Sequence, residues 1–272
     1  MSVTPSESTI SSLARKRVEE LLGEGKRLDG RELTQCREFE VETDLIGTAE
    51  GSAQVKLGKT IVLVGIKAGT GEPFPDTPDQ GVLTVNAELV PIASPNFETG
   101  PPREGAIELA RVVDRSLRES KIVDLEKLCL VPGKAVYVIF VDIYVLNHDG
   151  NLIDASVLAA LSALMKTKLP KYTAKKDGTV TRKSGHSELK IQNMPISLTT
   201  GKIGESLLFD PSLEEEEIMD SRITMTFDSE GNVRAMQKGG HGVFTTEELK
   251  TLVSTAGEKT SEIRDRLKEL IK

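Results

Sequence analysis

Residues 209–222 read FDPSLEEEEIMDSR, which crowds Asp210, Glu214, Glu215, Glu216, Glu217 and Asp220 into one short stretch. Carboxylates at that density can hold a divalent cation, work as a general acid and base pair, or keep a loop wet. Consecutive glutamates on a helix or turn point in different directions, and no His or Asn ligand lies close in sequence. A metal-dependent hydrolase is therefore disfavoured, and no metal or cofactor is expected. The second chemistry-bearing group is cationic: Arg111 and Arg115 stand one helical turn apart, with Arg118 nearby. Like charges at that spacing repel slightly, a cost that a bound phosphate would reverse. Glu108 and Glu119 are also spaced to pair with Arg111 and Arg115 as an ordinary solvated stripe, so the spacing leaves both readings open.

The elements that must position these groups follow from patterning. Thr4, Pro5 and Glu7 have the form of a capped helix start, with Ile10, Leu13, Val18, Leu21 and Leu22 as the apolar face and Gly23 and Gly25 as the stop. FEVET, SAQVKL and TIVLVGIKA read as strands, the last two joined by a tight turn at Gly58 and Lys59. VLTVNAELVPI alternates as a half-buried strand. REGAIELARVVDRSLRES is a helix with Ile107, Ala110, Val113 and Leu117 facing inward. VYVIFVDIYVLN has the β-branched and aromatic content of a central strand, and LIDASVLAALSALM, apolar nearly all round, is a helix packed on more than one side. Lys-rich residues 166–190 read as an exposed hairpin or excursion with a solvated face. A second set of strands follows, and Thr245 with Glu248 caps a closing helix whose stripe is Leu249, Leu252, Val253, Ala256, Ile263 and Leu267.

Composition limits the function classes. The 272 residues carry a net charge of −7, which argues against binding nucleic acid with the whole surface and confines any RNA contact to a local basic patch. No apolar run is long enough to span a membrane, and residues 1–22 lack the apolar centre of a signal peptide, so a cytoplasmic location is expected. Cys36 and Cys129 are too few and too far apart for a disulfide framework or a cysteine zinc site.

RLDGR at 27–31, the hairpin GSAQVKLGKTIVLVGI, the helix AIELARVVDRSL, the segment VDIYVLNHDGNLIDASVLAALSALM and the tail GKIGESLLFDPSLEEEEIMD occur together and in this order. This set resembles the RNase PH family of phosphorolytic 3′ to 5′ exoribonucleases, and within it the non-catalytic subunit of the archaeal exosome ring. The resemblance implies an α/β (α+β type) RNase PH fold, ribosomal protein S5 domain 2-like, with mixed sheets and helices packed between and outside them. It implies an N-terminal helix over 1–25 and one RNase PH-like domain over 26–272, built from halves at about 26–165 and 191–272 around the 166–190 excursion.

Phosphorolysis brings inorganic phosphate up to a phosphodiester, so cations and backbone N–H groups must offset the repulsion. The resemblance places a basic pair of the active members in the stretch that reads SPNFETGPP here, which has no cation between Lys67 and Arg103. It also places paired carboxylates at Asp210 and six residues on, where Glu216 stands instead of an aspartate. The extra methylene displaces a carboxylate by about 1 Å, and such misplacement can cost on the order of 10² in rate. GKIGES matches the turn that lines the phosphate pocket, although Gly201 and Gly204 also serve as plain turn residues.

The expectation is a non-catalytic subunit with Asp210 and Glu216 as degenerate active-site positions and Arg111 and Arg115 as RNA contacts. The remaining glutamates are read as a solvated turn. The implied partners are a catalytic RNase PH-like sister subunit in a hetero-hexamer of three heterodimers, RNA-binding cap subunits and single-stranded RNA, with no membrane. The alternative is an active phosphate-dependent exoribonuclease that tolerates Glu216 and borrows Arg103.

Overall fold

A computed structural model describes residues 12–271. The expected cap at Thr4, Pro5 and Glu7, together with Ile10 and the side chain of Leu13, lies outside the described residues. Helix α1 (Ser12–Gly23) buries Val18 and Leu22 against the second half of the chain. Strands β1 (Phe39–Thr43), β2 (Gly51–Leu57), β3 (Thr60–Gly71), β4 (Val82–Leu89), β5 (Cys129–Val131) and β6 (Ala135–Asn147) form one sheet in the order β1-β2-β3-β6-β4, with β5 on β6. The long run at β6 is central, as its composition predicts: it pairs antiparallel with β3 and parallel with β4.

Helices α2 (Glu104–Glu119) and α3 (Leu152–Met165) cover one face of that sheet. A four-stranded antiparallel sheet lies beyond them, built from β9 (Ile196–Ile203), β10 (Ser206–Phe209), β11 (Ser221–Phe227) and β12 (Val233–Gly240) in the order β10-β9-β11-β12. Contact with both sheets explains why α3 is apolar on every side, since all of its residues from Leu152 to Leu164 are buried. The far side of β9 and β11 packs Leu198, Ile223, Met225 and Phe227 against α5 (Thr246–Leu270). Thr245 and Glu248 form the expected capping box at its start. Residues 166–190 contain β7 (Lys168–Ala174) and β8 (Val180–Glu188), a two-stranded sheet of their own.

Two helix faces differ from expectation. On α2 the buried stripe is Ala106, Leu109, Val113 and Leu117, and Ile107 is 49% exposed, because the helix packs on β4, α3 and β12 with a face turned by about one residue from that expected. On α5 Val253 is exposed, while Thr260 and Arg264 join the buried stripe. The reason is polar: Arg264 donates to the carbonyls of Met194, Phe227 and Asp228 at 2.9, 3.1 and 2.7 Å, at the end of the sheet.

Among the described residues, no layer covers the outer face of the six-stranded sheet. Ile61, Leu63, Val138 and Leu146 are half-buried there, and Phe140 and Tyr144 are exposed. An ordinary solvated face would be polar at these alternate positions.

Candidate functional site

The acidic stretch is not a solvated turn. Residues Leu213–Ile218 form helix α4, capped by Ser212 and Glu215 in a reciprocal box, and the helix directs Glu215 and Glu216 inward while Glu214 and Glu217 face water. Residues 27–31, the RLDGR motif, explain why this happens. Arg27 is buried, its Nε donates to Glu215 at 2.8 Å, and it also donates to the Phe209 and Asp210 carbonyls at 2.7 and 2.9 Å. Such a fork satisfies a buried carboxylate that would otherwise be costly.

Asp210 is held even more fully. Its backbone is left-handed, with φ of 49°, and its carboxylate is buried. Arg37 donates its backbone N–H and Nε to Oδ2 at 2.8 and 2.9 Å and its Nη2 to Oδ1 at 2.7 Å. Arg31 Nη1 adds a bond of 3.0 Å to Oδ2, and Asn151 Nδ2 one of 2.6 Å to Oδ1. Burial by itself would raise this carboxyl; the Arg37 hydrogen bonds and charge outweigh it and hold the group below its ordinary value.

Asn151 is the N-cap of α3, itself left-handed at φ 52°, and its neighbour Gly150 has φ of 86°. A Cβ on Gly150 would come within 2.6 Å of the Pro211, Ser212 and Leu213 backbone, so the strand-to-helix turn is pressed directly onto the acidic segment. From this turn the Asn151 N–H reaches Glu216 Oε1 at 2.8 Å, and Nδ2 reaches Asp154 Oδ2 at 2.7 Å. Asp154 also accepts from Thr199, through its N–H at 2.8 Å and its Oγ1 at 2.9 Å.

Glu216 and Asp154 behave oppositely to Asp210. Burial pushes both up to about 7, and their hydrogen bonds offset only part of that shift. Each therefore keeps its proton to higher pH in the folded chain than in the unfolded one. The stability they contribute is complete below their unfolded values and is lost as pH rises through about 7. Glu216→Gln removes one share: between pH 5 and 8 the variant's unfolding free energy should fall less than the wild type's, by roughly 2 kcal/mol in urea titrations. Equal falls for the two proteins would contradict a protonated Glu216.

The SPNFETGPP segment lines a cleft of about 320 Å³ together with Glu88, Leu89 and Arg103. Arg103 is the one cation among its lining residues and forms an ion pair with Glu98. The arginines of α2 lie elsewhere. Arg111 is exposed with no ion pair among the described residues, Arg115 Nη2 donates to Gln237 of β12 at 3.0 Å, and Arg118 pairs with Asp114 at 2.6 Å. The stripe pairs Glu108 with Arg111 and Glu119 with Arg115 do not form. Glu108 is drawn inward to the buried Arg222, whose guanidinium needs a carboxylate more than an exposed arginine does.

Residues 35–170 match domain 1 and residues 193–259 domain 2 of the 3′ exoribonuclease family, RNase PH. The chain belongs to this family. An exosome complex component Rrp42 of Thermococcus gammatolerans is 52% identical over 96% of either chain. Among solved structures, a chain of the Archaeoglobus fulgidus exosome with RNA bound to the active site superposes with a TM-score of 0.86 at 45% identity, covering 93% of this chain and 97% of that one. A chain of an archaeal exosome core gives 0.82 at 41% identity, covering 94% and 96%. The expected RNase PH fold is thus present.

Within this RNase PH chain, Asp210 and Glu216 do converge on one point, the Asn151 turn. Arg111 and Arg115 do not join them, since no hydrogen bond or ion pair among the described residues links the two sets. Sequence reading missed Arg27, Arg31, Arg37, Asn151 and Asp154, which make up most of the site. RLDGR and the NHDGNLID turn were visible as motifs, but neither reveals which carboxylate it serves. Of the phosphate-turn glycines, Gly204 occupies the β9–β10 turn at φ 55°, and Gly201 lies within β9, buried.

Proposed function

We propose that this chain is the non-catalytic RNase PH-like subunit of an exosome ring, pairing with a catalytic sister subunit and contributing Arg111 and Arg115 to its RNA path. The observation that carries this reading is the closed state of Asp210. Five donors occupy its two oxygens, and two of the donor side chains are cations that would repel a divalent ion. Burial raises Glu216 to about 7, so near neutral pH it is only partly ionised and is a weaker cation ligand than an ordinary carboxylate. Among the described residues no group of three or more His, Cys, Asp and Glu side chains is placed to hold a metal.

The cleft where inorganic phosphate would need cations offers only the ion-paired Arg103, beside Glu88 and Glu98. Losing one electrostatic stabiliser typically costs on the order of 10² to 10³ in rate, so the combined defects leave no independent active site. The degenerate positions are Asp210 and Glu216, which serve the frame of the subunit instead.

The uncovered apolar sheet face supports assembly, since Phe140, Tyr144 and their half-buried neighbours would gain by being covered. The relatives named as exosome components, and the archaeal exosome structure with RNA in its active site, support membership of an exosome that acts on RNA; the sister subunit, cap subunits and single-stranded form of the RNA are part of the proposal. No described helix is long and apolar enough to cross a membrane. Mixing the purified chain with a catalytic RNase PH-like subunit and measuring the native mass tests the assembly. A 3:3 hexamer is expected, and two species that stay separate would contradict it.

A further inference from the structure

The β7–β8 hairpin concentrates charge of one sign. Residues 166–190 carry eight Lys and Arg against Asp177 and Glu188, a net +6, which leaves −13 on the rest of a chain whose total is −7. Elsewhere in the chain cations are commonly paired with carboxylates, down to the buried Arg27 and Arg222. Among the described residues none of the eight cations of the hairpin forms an ion pair, and Asp177 is occupied by the Thr179 N–H at 2.9 Å. Unneutralised charge at this density on an acidic protein is the electrostatic footprint of a polyanion site.

The hairpin also has the form of an arm. Every residue of β8 from Thr181 to Glu188 is exposed, as are Lys171, Thr173, Lys175 and Lys176. Its base is fixed: Leu169 is buried, the Tyr137 hydroxyl donates to the Pro170 carbonyl at 2.9 Å, and the Tyr137 and Tyr172 rings meet edge to face at 5.5 Å. Near the tip, Lys134 Nζ donates to the Lys176 carbonyl at 2.9 Å and brings one more cation to the same place. Lys171 is exposed within β7, and Lys175 and Lys176 follow directly after its end. Its one Phe, Tyr or Trp, Tyr172, is committed to Tyr137, so the arm offers mainly charge to a backbone, with the exposed His186 imidazole as its one other ring.

Its place separates it from the carboxylate site. β6 starts beside the arm at Ala135 and ends just before the Asn151 turn, and thirteen residues of strand span about 40 Å. The C-terminal end of α2 approaches the arm's end of the sheet, where Arg118 Nη2 reaches the Leu83 carbonyl at the start of β4.

We propose that the β7–β8 hairpin is a phosphate-backbone binding arm for single-stranded RNA, outside the route lined by Arg111 and Arg115. The proposed role in RNA degradation supplies only the choice of RNA as the polyanion. The test is the affinity of the full chain for a labelled oligouridylate across a salt series, for wild type, for Lys171→Gln/Lys175→Gln/Lys183→Gln and for Arg111→Ala/Arg115→Ala. The lysines are exposed and unpaired, so the neutral arm variant should melt as wild type does. It should bind on the order of tenfold more weakly at low salt, with the slope of log K against log salt shallower by about 2. An arm variant with unchanged affinity and slope overturns the proposal, and so does one that binds RNA normally but loses a co-purifying protein partner. Weakening by the arm variant with none by the arginine variant would keep the arm and sink the arginine route; the reverse result would sink the arm alone.

Discussion

Arg27→Met should lower the stability of the chain by about 3 to 5 kcal/mol, the range for removing one partner of a buried ion pair. The side chains of Arg27 and Glu215 are 0% and 1% exposed, and after the substitution Glu215 keeps only the Ser212 N–H at 2.7 Å. The Phe209 carbonyl loses its guanidinium donor as well, and the Asp210 carbonyl keeps only that of Arg31 at 3.1 Å. The charge left behind is the main source of the cost, so neutralising it should recover part of the loss. Arg27→Met/Glu215→Gln is expected to be more stable than Arg27→Met alone, because Gln preserves the capping box while shedding the unpaired charge. Urea unfolding of both single variants and the double variant measures the coupling. A double variant whose loss equals the sum of the singles would mean that the pair does not hold α4 in place.

The second large effect concerns RNA. Arg111→Ala/Arg115→Ala in the assembled ring should weaken single-stranded RNA binding by at least about tenfold at low salt and make its salt slope shallower by about 1.4, while leaving the hexamer intact. Arg111 has no ion pair among the described residues and Arg115 spends one nitrogen on Gln237, so both can turn to phosphate without breaking a carboxylate pair. Degradation by the ring should fall with affinity. Unchanged affinity at physiological salt would remove Arg111 and Arg115 from the RNA path.

These expectations rest unequally on sequence and structure. The elements themselves were readable: the hairpin turn at Gly58, the all-apolar helix at Leu152–Met165, the central strand ending at Asn147 and the capping box of Thr245 and Glu248 all have local signatures. The carboxylate stretch was visible but its meaning was not. Glu215 and Glu216 look like their solvated neighbours Glu214 and Glu217, because four identical residues carry no periodicity. The partners that bury them lie far away in sequence: Arg27 is 188 residues from Glu215, and Arg37 is 173 residues from Asp210. No local pattern encodes such a pairing. The Ile107 face failed for a related reason, since α2 has apolar residues on either side of its true contact line and packing on three elements decides between them.

The same long-range ion pairs give the acidic stretch its proposed role. A carboxylate that binds catalytic metal needs open lone pairs and a neighbour ionised at working pH. Asp210 has its oxygens filled by arginines and an asparagine, so the open lone pairs are missing, and burial raises Glu216 to about 7, which leaves it only partly ionised near neutrality. What remains is a joint that ties residues 27–37, the Asn151 turn and α4 together, on a face of the molecule about 40 Å along β6 from the basic arm.

Phosphate-dependent shortening of a 3′ single-stranded RNA by the isolated chain is the direct test of whether these carboxylates catalyse anything. The account predicts no shortened product from the chain alone and product once the catalytic sister subunit is added. Robust phosphate-dependent product from the isolated chain, lost in a folded Asp210→Asn variant, would contradict it.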